Sequence, residues 1–176
     1  MKYLISCLVF QVALFTCFGQ NHVRLSIYLL PEVSQTLADR TKANNETGLG
    51  IGMQAIWRAS PAFSPFVQVS DDFIFYDDKV YRTNPDGSEQ LALGNVVKAL
   101  AGANINLIGG LHISLAAGAG FTNGQTLFTI KPGLGLFLGK NRRLLLKTDY
   151  VNMLNRYSGE RQNYQSLVFS LGFRLF

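Results

Sequence analysis

The chain has 176 residues, 48% of them hydrophobic, with 16 Lys and Arg against 11 Asp and Glu and two cysteines. That length suits one domain, and the scattered positive charge excludes the clustered basic footprint of a nucleic-acid binder. Beyond position 20 no apolar run reaches the roughly 20 residues a spanning helix needs, so a membrane crossing has to be made with strands.

The N-terminus reads as a removable leader. Lys2 precedes an apolar run from Tyr3 to Phe18, broken by Ser6, Gln11 and Thr16, and Cys17-Phe18-Gly19 places small residues where cleavage before Gln20 requires them. This is the pattern of a secretory signal peptide over 1–19, followed by one domain over 20–176. Phe15 and Thr16 ahead of Cys17 fit a lipid-attachment site poorly. Cys7 and Cys17 both fall in the leader, so the expected mature chain has no disulfide and no thiol chemistry.

After the leader the chain alternates with period two, the mark of strands with different surroundings on their two faces. The first predicted strand runs from His22 to Leu30, with Val23, Leu25, Ile27 and Leu29 against Arg24, Ser26 and Tyr28, and Pro31 to Glu46 reads as a long polar loop. The second, Gly48 to Trp57, sets Leu49, Ile51, Met53 and Ala55 against Gly48, Gly50, Gly52 and Gln54, and turns at Ser60-Pro61. The third starts at Phe63 and places Pro65, Val67 and Val69 opposite Phe66, Gln68 and Ser70; Asp71 to Gln90 reads as the longest loop. The fourth holds Val97, Ala99, Ala101, Ala103 and Ile105 against Lys98, Leu100, Gly102 and Asn104, and ends in a tight Gly109-Gly110 turn.

The fifth strand sets Leu111, Ile113, Leu115 and Ala117 against His112, Ser114, Ala116 and Gly118, and the sixth sets Phe128, Ile130, Pro132 and Leu134 against Thr129, Lys131, Gly133 and Gly135. The seventh shows Leu144, Leu146, Thr148 and Tyr150 opposite Leu145, Lys147, Asp149 and Val151. The closing strand carries an unbroken apolar row, Leu167, Phe169, Leu171, Phe173 and Leu175, against Ser166, Val168, Ser170, Gly172 and Arg174.

Short connections follow strands two, four and six, and longer ones follow strands one, three and seven. The pattern predicts an all-β fold: an eight-stranded antiparallel up-and-down transmembrane β-barrel with short periplasmic turns and longer extracellular loops. The apolar rows then face lipid and the polar rows the lumen. Aromatics near the predicted rims, Trp57, Phe63 and Phe137 at one end and Phe73, Phe121 and Tyr150 at the other, suggest the two interfacial girdles of such barrels.

The leader end Cys17-Phe18-Gly19-Gln20, the eight alternating segments and the ending Ser170-Leu171-Gly172-Phe173-Arg174-Leu175-Phe176 together resemble the small eight-stranded outer-membrane barrels. Within them the chain looks most like the outer-membrane β-barrel domain proteins of the Bacteroidetes. The resemblance implies a place in the cell outer membrane, contact with outer-membrane lipid and lipopolysaccharide, and handling by the barrel-assembly machinery during biogenesis. The chain departs from the usual terminal signal in one respect: the outward row lands on Leu175, leaving Phe176 out of phase.

The interior of an eight-stranded barrel is nearly filled by side chains, which argues against a wide pore. The alternation points Arg24, Lys98, Lys131, Lys147 and Arg174 inward together with Asp72 and Asp149, a polar network whose excess of positive charge these rows leave unexplained, with loop acids, Glu32 or Glu46, or trapped water as the candidates to offset it. Lys131 is expected opposite or diagonal to Asp149, and Lys147 to face Gly133 or Gly135. The glycines of Gly48-Leu49-Gly50-Ile51-Gly52 lack the spacing of a nucleotide loop and read as an inward stripe that makes room for Gln68 and Asp72. His22 and His112, the two histidines, have neither cysteine nor paired carboxylate beside them, so no metal and no cofactor is expected. Asp71, Asp72, Asp77 and Asp78 read as a solvated acidic loop.

The expected function is therefore non-enzymatic: a structural or binding barrel, or a subunit of a larger outer-membrane assembly. A lipid A-modifying barrel enzyme needs a nucleophile and a base within reach, and the predicted outer rim offers Ser158 and Glu160 without a histidine. A secreted lipocalin-like small-ligand binder would turn the apolar rows inward and the lysines outward. The inside–outside phase predicts that arginine at Phe169 or Leu146 costs about 2–4 kcal/mol near the bilayer midplane, whereas Ser170→Ala is mild. Urea titrations in lipid vesicles measure both, and equal tolerance of the two kinds of change would show the phase to be wrong.

Overall fold

The computed structural model describes residues 24–37, 47–74, 80–83, 89–91, 95–122, 125–139, 141–154 and 163–175. Among them are ten strands: β1 (Arg24–Thr36), β2 (Thr47–Arg58), β3 (Phe63–Ile74), β4 (Val80–Thr83), β5 (Glu89–Leu91), β6 (Asn95–Asn106), β7 (Leu111–Thr122), β8 (Gln125–Leu138), β9 (Leu144–Leu154) and β10 (Tyr164–Arg174). Eight close into a barrel in the order β1-β10-β9-β8-β7-β6-β3-β2, while β4 and β5 pair with each other in the connection between β3 and β6. Every pair in the barrel is antiparallel, and β1 bonds both β2 and β10, so the sheet has no open edge.

Period two decides which side chain meets which surroundings. The outward rows are apolar and exposed on each of the eight barrel strands, for example Leu25 and Val33 on β1, Ile51 on β2, Val69 on β3, Ile105 on β6, Leu115 on β7, Leu134 on β8, Leu146 on β9 and Phe169 on β10. Leu115 and Leu134 are each 57% exposed, with no protein surface to cover them. A belt of this kind running all the way round is stable only against hydrocarbon. The lipocalin-like alternative, which needs the apolar rows inside, is excluded by this orientation.

Three short turns lie at the end where β1 begins and β10 finishes, and the two-residue connection between β7 and β8 lies at the other. Between β6 and β7, Gly109 and Gly110 take positive φ values of 67° and 92°, which a side chain would resist, and Leu107 N–H donates to the Leu111 carbonyl at 2.8 Å. Between β8 and β9, positive φ falls on Gly139 (78°), Asn141 (68°) and Arg142 (54°).

Three sequence expectations need correction. The first strand does not stop at Leu30: β1 continues to Thr36, with Pro31 outward and Glu32 inward. Pro31 lacks the N–H a ladder needs, and the β1–β10 pairing accordingly skips from Leu29↔Phe173 to Glu32↔Ser170 without losing register. Pro132 does the same on β8, where pairing with β9 skips from Ile130↔Asn152 to Gly133↔Asp149. The predicted loop from Asp71 is likewise strand as far as Ile74, with Asp71 on the outer face and Asp72 on the inner, so the two do not form a shared acidic site. Asp77 and Asp78 lie outside the described residues. Finally, Phe137 is no girdle residue: it sits in phase with Gly135 and is 6% exposed, inside the lumen.

Candidate functional site

The lumen is stacked in three layers, and single strands show the order directly. On β9, Leu145 is followed inward-facing by Lys147 and Asp149, then by Val151 and Met153, all buried. On β8 the sequence reads Phe137, then Lys131, then Leu127; on β6 it reads Leu100, Lys98, Val96. One apolar layer, at the short-turn end, contains Tyr28, Leu30, Ile56, Phe66, Phe137 and Leu145. The other, at the long-connection end, contains Ile74, Val96, Leu127, Val151, Met153 and Tyr164. Between them lies a charged layer.

That layer is a chain of alternating sign. Asp72 on β3 bonds Lys98 on β6; Lys98 Nζ lies 4.0 Å from Glu32 Oε2 on β1; Glu32 Oε1 lies 3.7 Å from Lys131 Nζ on β8. Lys131 then reaches Asp149 on β9 at 3.2 Å, and Asp149 reaches Lys147 at 3.2 Å. Glu32 crosses the lumen, since β1 is separated from both β6 and β8 around the wall. Two neutral donors reach one of its oxygens: Gln68 Nε2 at 3.0 Å and Ser170 Oγ at 3.1 Å both donate to Oε1. Ser114 Oγ donates to Asp149 Oδ1 at 3.3 Å, and Lys147 Nζ stands 5.3 Å from the centre of the Phe66 ring.

Room for these groups comes from absent side chains. Gly133 is the register partner of Asp149, and a Cβ there would collide with the Asp149 carboxylate. Lys147 has Gly135 as its partner, and Lys131 stands diagonal to Asp149. Asp72 pairs with Gly50, where an added Cβ would lie 2.6 Å from Asp72 Oδ1.

The residues singled out from the sequence are thus distributed as follows. Lys98, Lys131, Lys147, Asp72 and Asp149 meet in the charged layer. Arg174 does not: it lies beyond Gly172 at the short-turn mouth, where its Nη1 donates to the Asn141 carbonyl at 2.8 Å. Arg24 starts β1 at that same end, opposite Arg58 in register. Leu167, Phe169, Leu171, Phe173 and Leu175 all face outward from the closing strand. His112 stacks on Phe137 with ring centres 4.5 Å apart, while His22, Glu46, Ser158, Glu160 and Phe176 lie outside the described residues. The residue that sequence reasoning underused is Glu32, which joins the layer from a strand and not from a loop. With it, three lysines face three carboxylates, and the expected positive excess disappears. Charge balance itself was the available signal.

No protein-family model and no curated protein matches the chain. Solved structures do. The crystal structure of Ail, the attachment invasion locus protein of Yersinia pestis, aligns at TM-score 0.53 and 10% identity over 88% of this chain and 100% of Ail. The same protein in a phospholipid bilayer nanodisc aligns at TM-score 0.54 and 10% identity over 86% of this chain and 100% of Ail. A de novo designed transmembrane β-barrel aligns at TM-score 0.52 and 12% identity, covering 85% and 95%. The fold is that of an outer-membrane β-barrel. Because a designed protein is among the matches, the likeness reflects shared architecture, and the all-round apolar belt independently puts this barrel in a membrane.

Breaking a buried ion network leaves a charge without compensation, at a cost of about 3–5 kcal/mol, whereas replacing paired charges by apolar groups is close to neutral. Glu32→Gln should therefore lower the stability of the folded barrel by about that amount, and Lys131→Met in the same chain should recover part of it. The expectation for Ser170→Ala rises to about 1 kcal/mol, since its hydroxyl donates to Glu32. A double-mutant cycle by urea titration in vesicles checks the coupling; strict additivity of Glu32→Gln and Lys131→Met would rule it out.

Proposed function

We propose that this chain is a non-enzymatic outer-membrane barrel that works through its two ends, as a binding element or as a subunit of a larger outer-membrane assembly. The observation that carries this reading is the filled lumen. Apolar layers close it above and below a neutralised charged layer in which Lys98, Asp149 and Glu32 are at most 2% exposed, so the interior serves as neither a wide pore nor a ligand chamber. Functional groups are left to the connections and the rims.

The barrel's pattern of short turns and long connections supports an orientation with the short turns in the periplasm. The alternating segments and terminal strand support assignment to the outer-membrane β-barrel domain proteins of the Bacteroidetes, with lipopolysaccharide at the outer rim and the barrel-assembly machinery as partner during insertion. Reconstituted in planar bilayers, the full chain should give no steady conductance, and lipid A mass spectra of deletion and wild-type cells should coincide. Sustained ohmic conductance would contradict the sealed lumen, and altered lipid A would contradict the non-enzymatic reading.

A further inference from the structure

The apolar belt carries one charge. In the outward phase of the eight barrel strands, Asp71 is the single charged side chain among the described residues. It lies inside the belt and not beyond it: the adjacent Asp72 belongs to the charged layer, while Phe73 and Ile74 follow toward the long connections. Along β3 it is flanked by Val69 and Phe73, 56% and 54% exposed, and across the sheet its register partners are Ile51 on β2 and Val97 on β6.

Apolar neighbours on all four sides leave this carboxylate without a donor. Asp71 is half-buried, and its Oδ1 is covered by the wall and takes no hydrogen bond. A charge on the lipid face costs energy that rises with depth, and an ionisable side chain kept within a membrane points to a partner. The chain itself does not supply one. No outward position of the described barrel strands holds Lys, Arg or His, so a second copy packed on this face would bring another apolar row or another Asp71. No group of three or more His, Cys, Asp or Glu among the described residues could hold a metal ion, and one carboxylate is too small a ligand set for an all-protein cation site. What the belt does meet is lipid.

We propose that Asp71 binds a lipid whose headgroup carries a primary ammonium. The ammonium N–H groups donate charge-assisted bonds to the carboxylate, and the acyl chains lie on the exposed apolar rows beside it, so the site continues the belt instead of interrupting it. Asp71 stands two residues, about 7 Å of strand, inside Phe73, within reach of a headgroup at the interface. The proposal depends on the belt and on charge complementarity, not on which mouth faces the periplasm.

The test reads lipid retention by native mass spectrometry of the full chain released from nanodiscs. These are made of phosphatidylcholine mixed with equal amounts of phosphatidylethanolamine or of phosphatidylglycerol, the latter with and without magnesium. Phosphatidylethanolamine should be retained about tenfold over phosphatidylcholine, whose quaternary ammonium has no N–H to donate, the factor being that of one hydrogen bond to a charged group. D71N should lose this preference. It should also keep the heat-dependent gel migration of a folded barrel, because it removes a charge from the lipid face. The proposal is overturned if the wild-type chain does not prefer phosphatidylethanolamine or if D71N keeps the preference. It is equally overturned if phosphatidylglycerol with magnesium is held as tightly, which would make the ligand a metal-bridged phosphate, or if the chain emerges as a dimer that D71N separates, which would give the face to a second copy.

Discussion

A strand crossing hydrocarbon has no water to satisfy its N–H and C=O groups, so the backbone ladder has to close on itself. Everything else in this barrel follows from that closure. Closing eight strands fixes an interior of set width, too narrow for a broad channel and wide enough that it has to be filled. The sequence therefore carries two opposite instructions at alternate positions, lipid-compatible outside and mutually complementary inside. Pro31 and Pro132 show how far the ladder can be relaxed: each sits on the outward face and interrupts pairing to one neighbour only, while the pairing on its other side runs on through Ile51 and Leu115.

Filling the interior with charge is the costlier of the available solutions, since burial penalises each ion separately. This barrel limits the cost by alternation of sign along one chain, Asp72, Lys98, Glu32, Lys131, Asp149 and Lys147. Glu32 is the member that joins the two halves, because among the described residues it alone contacts lysines on both β6 and β8. Apolar layers on either side restrict solvent access to that chain, which strengthens each pairing and raises the penalty for leaving any group unpartnered. The wall glycines belong to the same arrangement: Gly50 and Gly133 lend their space to Asp72 and Asp149.

Much of this was legible in the sequence, because period two needs no knowledge of the fold. The face of nearly every strand residue follows from alternation, and turn length narrows Lys147 to Gly133 or Gly135 and Lys131 to a place opposite or diagonal to Asp149; the register selects Gly135 and the diagonal. What alternation lacks is height. It says that Arg174 points inward and cannot say that β10 carries it past the charged layer to the mouth, because stagger between strands sets that level. Phe137 reads as a girdle residue for a related reason: it lies near a rim, but its inward phase decides its place. Glu32 reads as a loop residue because proline ordinarily ends a strand, and only the tertiary pairing with β2 and β10 shows that β1 runs through it.

The central claim is that lipid surrounds the outward rows while the six charges lie inside against one another. Its most direct test is nuclear Overhauser spectroscopy of the chain in lipid nanodiscs. The account predicts cross-peaks from acyl-chain protons to Leu115, Leu134, Leu146 and Phe169, and none to the side chains of Lys98, Lys131 and Lys147. Acyl contacts at those lysines, or their absence from the leucine rows, would contradict it.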